Sequence, residues 1–302
     1  MKISKSKSLN NSSIEIEEKQ QLRTDEFLIE NLNNCWNFVK VNLVRCRAKF
    51  EENPVHNLRV SIRRLLAFLE LARGVVNSKD LSRLSKSTKK ILKLFNGLRD
   101  TQVQLLSIDD LRLTHPVLSE YYFELKTAEQ LYISSIKEQL MLVDLLTLEG
   151  FIFFLKFAIK NNPILNSIPL ERLSEPILAN YHIILERISQ VKREEPDTIH
   201  KVRLAFKNFR YMLEIMQPVI NLPKEKLRLI KNFQTTMGNI QDCTVFLDGL
   251  TSHIFTSNSI PAIAYNTIIE EIISNRSRLI DEFIEICYNP EFFKNNFLLP
   301  AY

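Results

Sequence analysis

One nine-residue segment of this chain occurs twice, and the repeat constrains the fold more than any other feature. Residues 56–64 read HNLRVSIRR, and residues 200–208 read HKVRLAFKN. Each copy places a histidine and two cations at relative positions 0, 3 and 7. On a helix that turns about 100° per residue, these positions fall on one side. Each copy therefore predicts a helix with a histidine and two cations in one stripe.

The repeat extends well beyond this segment. Residues 96–100 return as residues 238–242, and an aspartate, Asp100 or Asp242, closes each of these segments. The offset is 144 residues at the histidines and 142 at the aspartates, so only two residues are lost between them. A repeat of this size predicts two four-helix bundles related by a pseudo-two-fold axis.

The glycine content favours helices. Only five of the 302 residues are glycine, whereas strands joined by tight turns need more. Apolar residues recur at i, i+3, i+4 and i+7 over long stretches, so we predict an all-α protein. The predicted helices span about 14–50, 56–75, 81–96, 116–146, a shorter one through 157, 171–192, 198–216, 224–237 and part of 261–288, with a turn at 218–223 and a break near Gly97.

The domain organisation follows from composition along the chain. Residues 1–13 are polar and are predicted to be a disordered tail, followed by a single domain at residues 14–302. Residues 163–169 contain two prolines and little periodicity, which is typical of a linker. They separate a first bundle at residues 14–162 from a second bundle at residues 169–302.

Cysteine usage and apolar runs indicate a reduced, cytoplasmic protein without a membrane span. The four cysteines lie far apart, and no apolar signal segment precedes them, so we interpret them as buried, reduced thiols. The longest apolar run, residues 151–159, is interrupted by Lys156 and is too short to cross a membrane. No membrane partner is therefore expected.

Positive charge is concentrated in the repeated segments. Residues 56–99 contain eleven Lys or Arg against two acids, and residues 200–241 contain eight against two. The whole chain carries only +5, so the remaining residues are net acidic. Cations needed only for solubility would be interspersed with acids. The segregation therefore predicts a polyanion as partner.

The doubled motif resembles the CHAD domain (conserved histidine α-helical domain). The resemblance lies in VHNLRVSIRRLLAFLEL at 55–71, its copy IHKVRLAFKNFRYMLEI at 199–215, LRD at 98–100 and GNIQD at 238–242. It covers nearly all of the chain after about residue 20. It implies two helical bundles around a basic central groove or pore that binds inorganic polyphosphate. Since no acidic strand motif for a fused triphosphate-hydrolysing tunnel is present, it implies a stand-alone module, and association with polyphosphate granules is left open.

The expected polyphosphate ligands are the histidines and cations of the repeated helices: His56, Arg59, Arg63, Arg64, Lys86, Lys89, Lys90, Lys93, Arg99, His200, Arg203, Lys207, Arg210, Arg228 and Lys231. Neighbouring cations are expected to lower the pKa of the histidines, which makes them neutral hydrogen-bond donors. Three positions of the second half lack the cation of the first: Asn208, Thr235 and Gln241 replace Arg64, Lys93 and Arg99. We therefore expect the second half to bind more weakly.

Other functions are less favoured but stay open. Nucleic acid would suit a basic surface, but few aromatic side chains lie among the cations to stack bases. An enzyme would need an acidic cluster for magnesium or a nucleophile with a paired base, and we find no catalytic residue. Cations around His56 and His200 would repel a metal ion, so no metal or cofactor is expected. Asp100 and Asp242 are interpreted as groups that orient a neighbouring arginine or cap the next helix, and the oligomeric state is left open.

Overall fold

The computed structural model describes residues 23–257, 261–289 and 292–293, and within these ranges the chain is all-α, as predicted. The predicted tail at residues 1–13 lies outside the described residues. The ten α-helices described are α1 Thr24–Ala48, α2 Glu52–Arg73, α3 Lys79–Leu94, α4 Asn96–Thr114, α5 Ser119–Met141, α6 Leu145–Lys160, α7 Glu175–Ser189, α8 Pro196–Ile220, α9 Lys224–Thr256 and α10 Asn266–Cys287. Short 3-10 turns lie at Pro116–Leu118, Leu165–Ser167, Leu170–Ser174 and Ala262–Tyr265.

The boundary between α8 and α9 corrects the turn predicted at residues 218–223. Pro218 lies inside the last turn of α8, and the helix ends at Ile220, which is buried. A proline this close to the helix end removes only one backbone hydrogen bond, so burial of the last apolar residue extends the helix past it. Asn221 then closes the helix with φ of 45°, a left-handed conformation that asparagine tolerates.

The two halves differ at the position of the predicted break near Gly97. In the first half, α3 and α4 are separated at Phe95, which has φ of −92° and ψ of 5° and is completely buried. In the second half, the helix predicted at 224–237 continues as α9 to Thr256 and carries Gly238 in its interior. The break thus lies at Phe95, two residues before the predicted position, whereas α9 continues through the equivalent Met237, which is also completely buried.

A shared apolar core joins the two repeated helices. Leu58, Ile62 and Leu65 of α2 are completely buried, and so are Val202 and Met212 of α8. Each such side chain stabilises the fold by about 1.5–3 kcal/mol through burial. The same core receives side chains from α1, α3, α6, α7, α9 and α10. Since α2 packs on α8, the polar stripes of both repeats meet at the contact between the halves.

A second, smaller core lies at one end of the molecule. It joins Leu105 of α4 and Tyr121 of α5 to Phe246 of α9 and Tyr265 of the turn before α10. Both cores therefore mix residues of the two halves, and the division into two four-helix bundles stays a prediction. None of the described helices combines the length and apolarity that a membrane span requires.

The cysteines agree in part with their interpretation as buried thiols. All four are free: Cys35 and Cys46 are buried, whereas Cys243 and Cys287 are half-buried. Burial raises the pKa of Cys35 to about 11, so this thiol is protonated and unreactive at neutral pH.

Candidate functional site

Four cations from the two repeated helices meet at the centre of the molecule. Arg59 and Arg63 come from α2, Arg203 and Lys207 come from α8, and all four are half-buried. Charges act between the halves, because Arg63 and Arg59 both lower the pKa of Lys207. We call these four residues, together with Asp100 and Asp242, the central cluster.

Burial lowers the pKa of all four cations of the central cluster, and neighbouring positive charges lower it further in Arg59, Arg203 and Lys207. Burial, followed by the charges of Arg203, Arg63 and Arg59, lowers the pKa of Lys207 to about 7. Burial, followed by the charge of Arg63, lowers the pKa of Arg59 to about 10. The buried Nε of Arg203 has no hydrogen-bond partner within the described part of the chain. The cluster thus contains cationic donors that are only partly satisfied.

The two aspartates offset part of this positive charge. Burial raises the pKa of Asp100, and the cations of Arg59 and Arg203 oppose that shift. Burial likewise raises the pKa of Asp242, and the charge of Arg203 opposes this shift most strongly. Each carboxylate therefore lies close enough to guanidinium groups to stabilise their positive charge. Two carboxylates against four cations leave the cluster positive.

Arg59 is held in place from a neighbouring helix. Its Nη1 donates to the backbone oxygen of Leu92, at 3.3 Å, and to Asn96 Oδ1, at 2.9 Å. These acceptors lie at the junction of α3 and α4. The guanidinium is thereby positioned before any ligand binds.

The two histidines occupy equivalent positions with different neighbours. Partial burial, followed by the cation of Arg99, lowers the pKa of His56, in the predicted direction. Arg99 itself is paired with Glu52. In the second half, Nδ1 of His200 is hydrogen-bonded to Oε1 of Gln241, the residue that replaces Arg99. Gln241 therefore fixes the imidazole of His200. The prediction for position 241 was only the loss of a cation and did not include this contact.

A pair of equivalent contacts joins α2 to α8. Arg64 Nη2 donates to Glu214 Oε2 at 2.7 Å, and Asn208 Nδ2 donates to Glu70 Oε2 at 3.1 Å. Positions 64 and 208, like positions 70 and 214, are related by the offset of 144 residues. The same contact thus occurs twice, at positions that the sequence repeat relates. The recurrence of glutamate at positions 70 and 214 was the sequence signal that could have predicted this pair of contacts.

Arg210 belongs to the same contact. It is paired with Glu214, and its Nε donates to Gln234 Oε1 at 2.7 Å. Glu214 therefore receives two guanidinium groups, from Arg64 and Arg210. Both arginines were predicted ligands, and the structure places them in the contact between the halves.

A cleft of about 220 Å³ opens beside the central cluster, between α2, α3 and α8. Its charged or polar lining includes three predicted ligands, one further arginine, one acid and one amide: Arg63, Lys89, Lys207, Arg73, Glu70 and Asn208. Arg73 was not predicted. It lies ten residues after Arg63 on the same helix, so extending the stripe by further turns would have included it.

The remaining predicted lysines and arginines lie on exposed surfaces. Lys86 and Lys93 of α3 are exposed, as are Arg228 and Lys231 of α9. Lys90 is also exposed, but it borders a different depression, whose lining includes Thr147 of α6 and Asp144, the residue before that helix. The structure thus brings Lys89 to the cleft and leaves Lys90 outside it. Among the described residues, no group of three or more His, Cys, Asp or Glu side chains could hold a metal ion.

Comparison with known proteins relates the fold to one family. The model of the CHAD domain matches residues 32–251 of the chain. The crystal structure of the CHAD domain from the plant Ricinus communis superposes with a TM-score of 0.64 and 18% identity, over 89% of this chain and 93% of that one. PptA from Streptomyces chartreusis superposes with a TM-score of 0.66 and 12% identity, over 88% and 99%. No curated protein matches the chain.

Proposed function

Because this chain belongs to the CHAD domain family, we propose that it binds inorganic polyphosphate at the central cluster and the adjoining cleft, without catalysing a reaction. The observation that carries this proposal is the meeting of four half-buried cations from both repeated helices, where burial and neighbouring charges lower the pKa of Lys207 to about 7. Like charges in a half-buried site destabilise the empty protein. A bound polyanion would relieve that repulsion.

The chemistry of the cluster suits a chain of phosphates. Polyphosphate carries about one charge per phosphate, so cations on successive helical turns can each meet an oxygen. Arg59, Arg63 and Arg203 offer forked donors for phosphate oxygens, and Lys207 offers a point charge. Lys89 and Arg73 extend the positive surface along the cleft. The exposed Lys86, Lys93, Arg228 and Lys231 are candidates for outer contacts with a long chain.

Titration with long-chain polyphosphate tests the proposal. We expect Arg63→Ala and Arg203→Ala each to weaken binding by about tenfold or more, which corresponds to one lost charge-assisted contact. Lys90→Ala is the matched control, because Lys90 is a cation of the same region that borders another depression. Binding that survives both arginine substitutions would refute the proposed site.

Two further measurements separate polyphosphate binding from the alternatives. Duplex DNA or RNA should fail to displace polyphosphate at equal phosphate concentration, and efficient displacement would favour a nucleic-acid-binding protein instead. Incubation with polyphosphate and a divalent metal should release no phosphate. Release that depends on residues of the central cluster would make the protein an enzyme.

A further inference from the structure

Helix α6 carries an apolar stripe on the face that points away from the core. Its inner face, which includes Leu148 and Ile152, is buried. On its outer face, Leu146 is 83% exposed, Phe153 is 65% exposed and Phe157 is 62% exposed. Two phenylalanine rings in one row on a surface helix are a contiguous apolar patch of the kind that marks an interaction site.

The spacing of the stripe is that of a helix that pairs with another helix. Leu146, Gly150, Phe153 and Phe157 follow one another at intervals of four, three and four residues. This is the alternation of a heptad seam, in which one residue of each step faces the partner helix. The stripe therefore matches a single facing helix better than a flat surface.

Nothing in the described part of the chain packs against Gly150. A methyl group at this position would meet no atom within 4 Å beyond its chain neighbours and the backbone of its own helix. Glycine weakens a helix relative to alanine, so the missing side chain is a disadvantage unless something approaches the backbone there. A large side chain from outside would use this gap.

An antiparallel copy of the same helix supplies that side chain. If residue 150 of one copy faces residue 153 of the other, Gly150 receives the ring of Phe153 from the second copy. The same register places Leu146 against Phe157 of the second copy. Each large ring then faces a smaller residue, and the arrangement has two-fold symmetry.

The charges beside the stripe fit the same register. Glu149 and Lys156 lie on one flank, seven residues apart. In the antiparallel pair each Glu149 faces Lys156 of the second copy, whereas a parallel pair would set both residues opposite the uncharged flank of Thr147 and Phe154. Glu149 Oε1 accepts from Trp36 at 3.0 Å and lies 3.2 Å from Lys40, and its side chain stays 44% exposed. Its own chain thus fixes the carboxylate at the edge of the stripe.

We propose that two copies of this chain associate through antiparallel α6 helices. An aromatic side chain buries about 150–250 Å² in total, so each exposed ring of the stripe would contribute about 100–150 Å². With the adjacent exposed side chains of Phe154, Leu142 and Met141, the surface approaches the roughly 800 Å² that a standard interface buries on each partner. The inference does not depend on the anion site.

Sedimentation equilibrium of the full chain tests the dimer. The wild-type protein should be dimeric, and Phe153→Glu should raise the dimer dissociation constant by more than about tenfold while the far-UV circular dichroism stays unchanged. Phe123→Glu is the matched control, because Phe123 is 67% exposed on α5 and lies outside the stripe. A monomeric wild type, or a dimer that tolerates Phe153→Glu, would overturn the proposal.

A charge exchange distinguishes the antiparallel pair from other modes of covering the stripe. Lys156→Glu should weaken the dimer, because it sets two acids opposite each other, and Lys156→Glu combined with Glu149→Lys should restore it. No restoration in a folded double variant would refute the register. Vesicles of phosphatidylserine provide a further arm: a monomer that binds them through Phe153 would assign the stripe to a lipid surface instead.

Discussion

Lys207 should make polyphosphate binding sensitive to pH. Its pKa is lowered to about 7 in the empty site, by burial and then by Arg203, Arg63 and Arg59. A bound polyanion raises that pKa toward the ordinary value of 10.5, so above pH 7 the complex holds a proton that the free protein lacks. Affinity should therefore fall as the pH rises above 7, by up to about tenfold per pH unit. Binding titrations at several pH values measure this slope.

The arginine variant at this position is the control for the pH dependence. Lys207→Arg keeps its charge, so its affinity should stay nearly constant over the same pH range. The groups that act on Lys207 besides the three arginines are Asp242 of α9 and, from α2, His56, whose own pKa is lowered. Lys207→Arg leaves both groups in place, so any part of the slope that they cause remains in the variant. An equal slope in wild type and variant would contradict the assignment to Lys207.

Asn208 should contribute to stability and little to binding. It donates to Glu70 at the position equivalent to the pair of Arg64 with Glu214. Asn208→Ala should therefore lower the free energy of unfolding by about 0.5–1.5 kcal/mol, the net value of one hydrogen bond. Polyphosphate affinity should change by less than about twofold. Urea unfolding and polyphosphate titration of the same variant measure both quantities.

An arginine substituted at position 208 would form with Glu70 the same ion pair that Arg64 forms with Glu214. Asn208→Arg should regain the lost stability and add up to about 1 kcal/mol, since Glu70 is exposed and the pair is screened by water. A loss of polyphosphate binding in Asn208→Ala as large as in Arg63→Ala would show that the residue belongs to the anion site instead.

At the scale of the elements, the contact of α2 with α8 should make the two halves unfold together. Leu65 lies on α2 and is completely buried in the shared core. Leu65→Ala should lower the free energy of unfolding by about 2–5 kcal/mol and shift one single calorimetric transition. Two separate transitions, with only one of them shifted, would support independent bundles. Lys90→Ala should change stability by less than about 0.5 kcal/mol.

The sequence predicted the helices better than their ends. Hydrophobic periodicity and the scarcity of glycine were sufficient for the all-α class, because each amphipathic face needs a core to pack against. Pro218 predicts a turn because proline usually ends a helix, yet Ile220 beyond it is buried and α8 extends to that residue. Periodicity does not predict the break at Phe95, and neither does burial alone, because the equivalent Met237 is also buried and α9 continues through it.

At the scale of the whole molecule, the segregation of charge should give a strong dependence of binding on salt. If the four cations of the central cluster each contact a phosphate, the logarithm of the affinity should fall against the logarithm of the salt concentration with a slope of about −3. Arg63→Ala should reduce the magnitude of the slope by a little less than one. A slope near zero would mean that these cations do not contact the ligand.

The residues of the candidate site could be predicted where they repeat in the sequence. Their contacts could not be predicted, because these depend on which helices pack together. The recurrence of histidine and two cations was sufficient to predict that Arg59, Arg63, Arg203 and Lys207 lie close together. It did not reveal that Arg64 binds Glu214, or that Gln241 fixes His200, because both depend on which helices are neighbours. Arg73 was missed because its equivalent in the second half is Gln217, so it did not repeat.

The contact that α2 and α8 make twice is the arrangement expected from duplication of a half-length chain. Arg64 with Glu214 and Asn208 with Glu70 are one pairing, related by a fixed offset along the chain. A half-length ancestor that associated with its own copy would have made this pairing twice by strict symmetry. Fusion of two such copies would allow each position to change independently of its equivalent. The chain has an arginine at one of the two positions and an asparagine at the other, with glutamate opposite both.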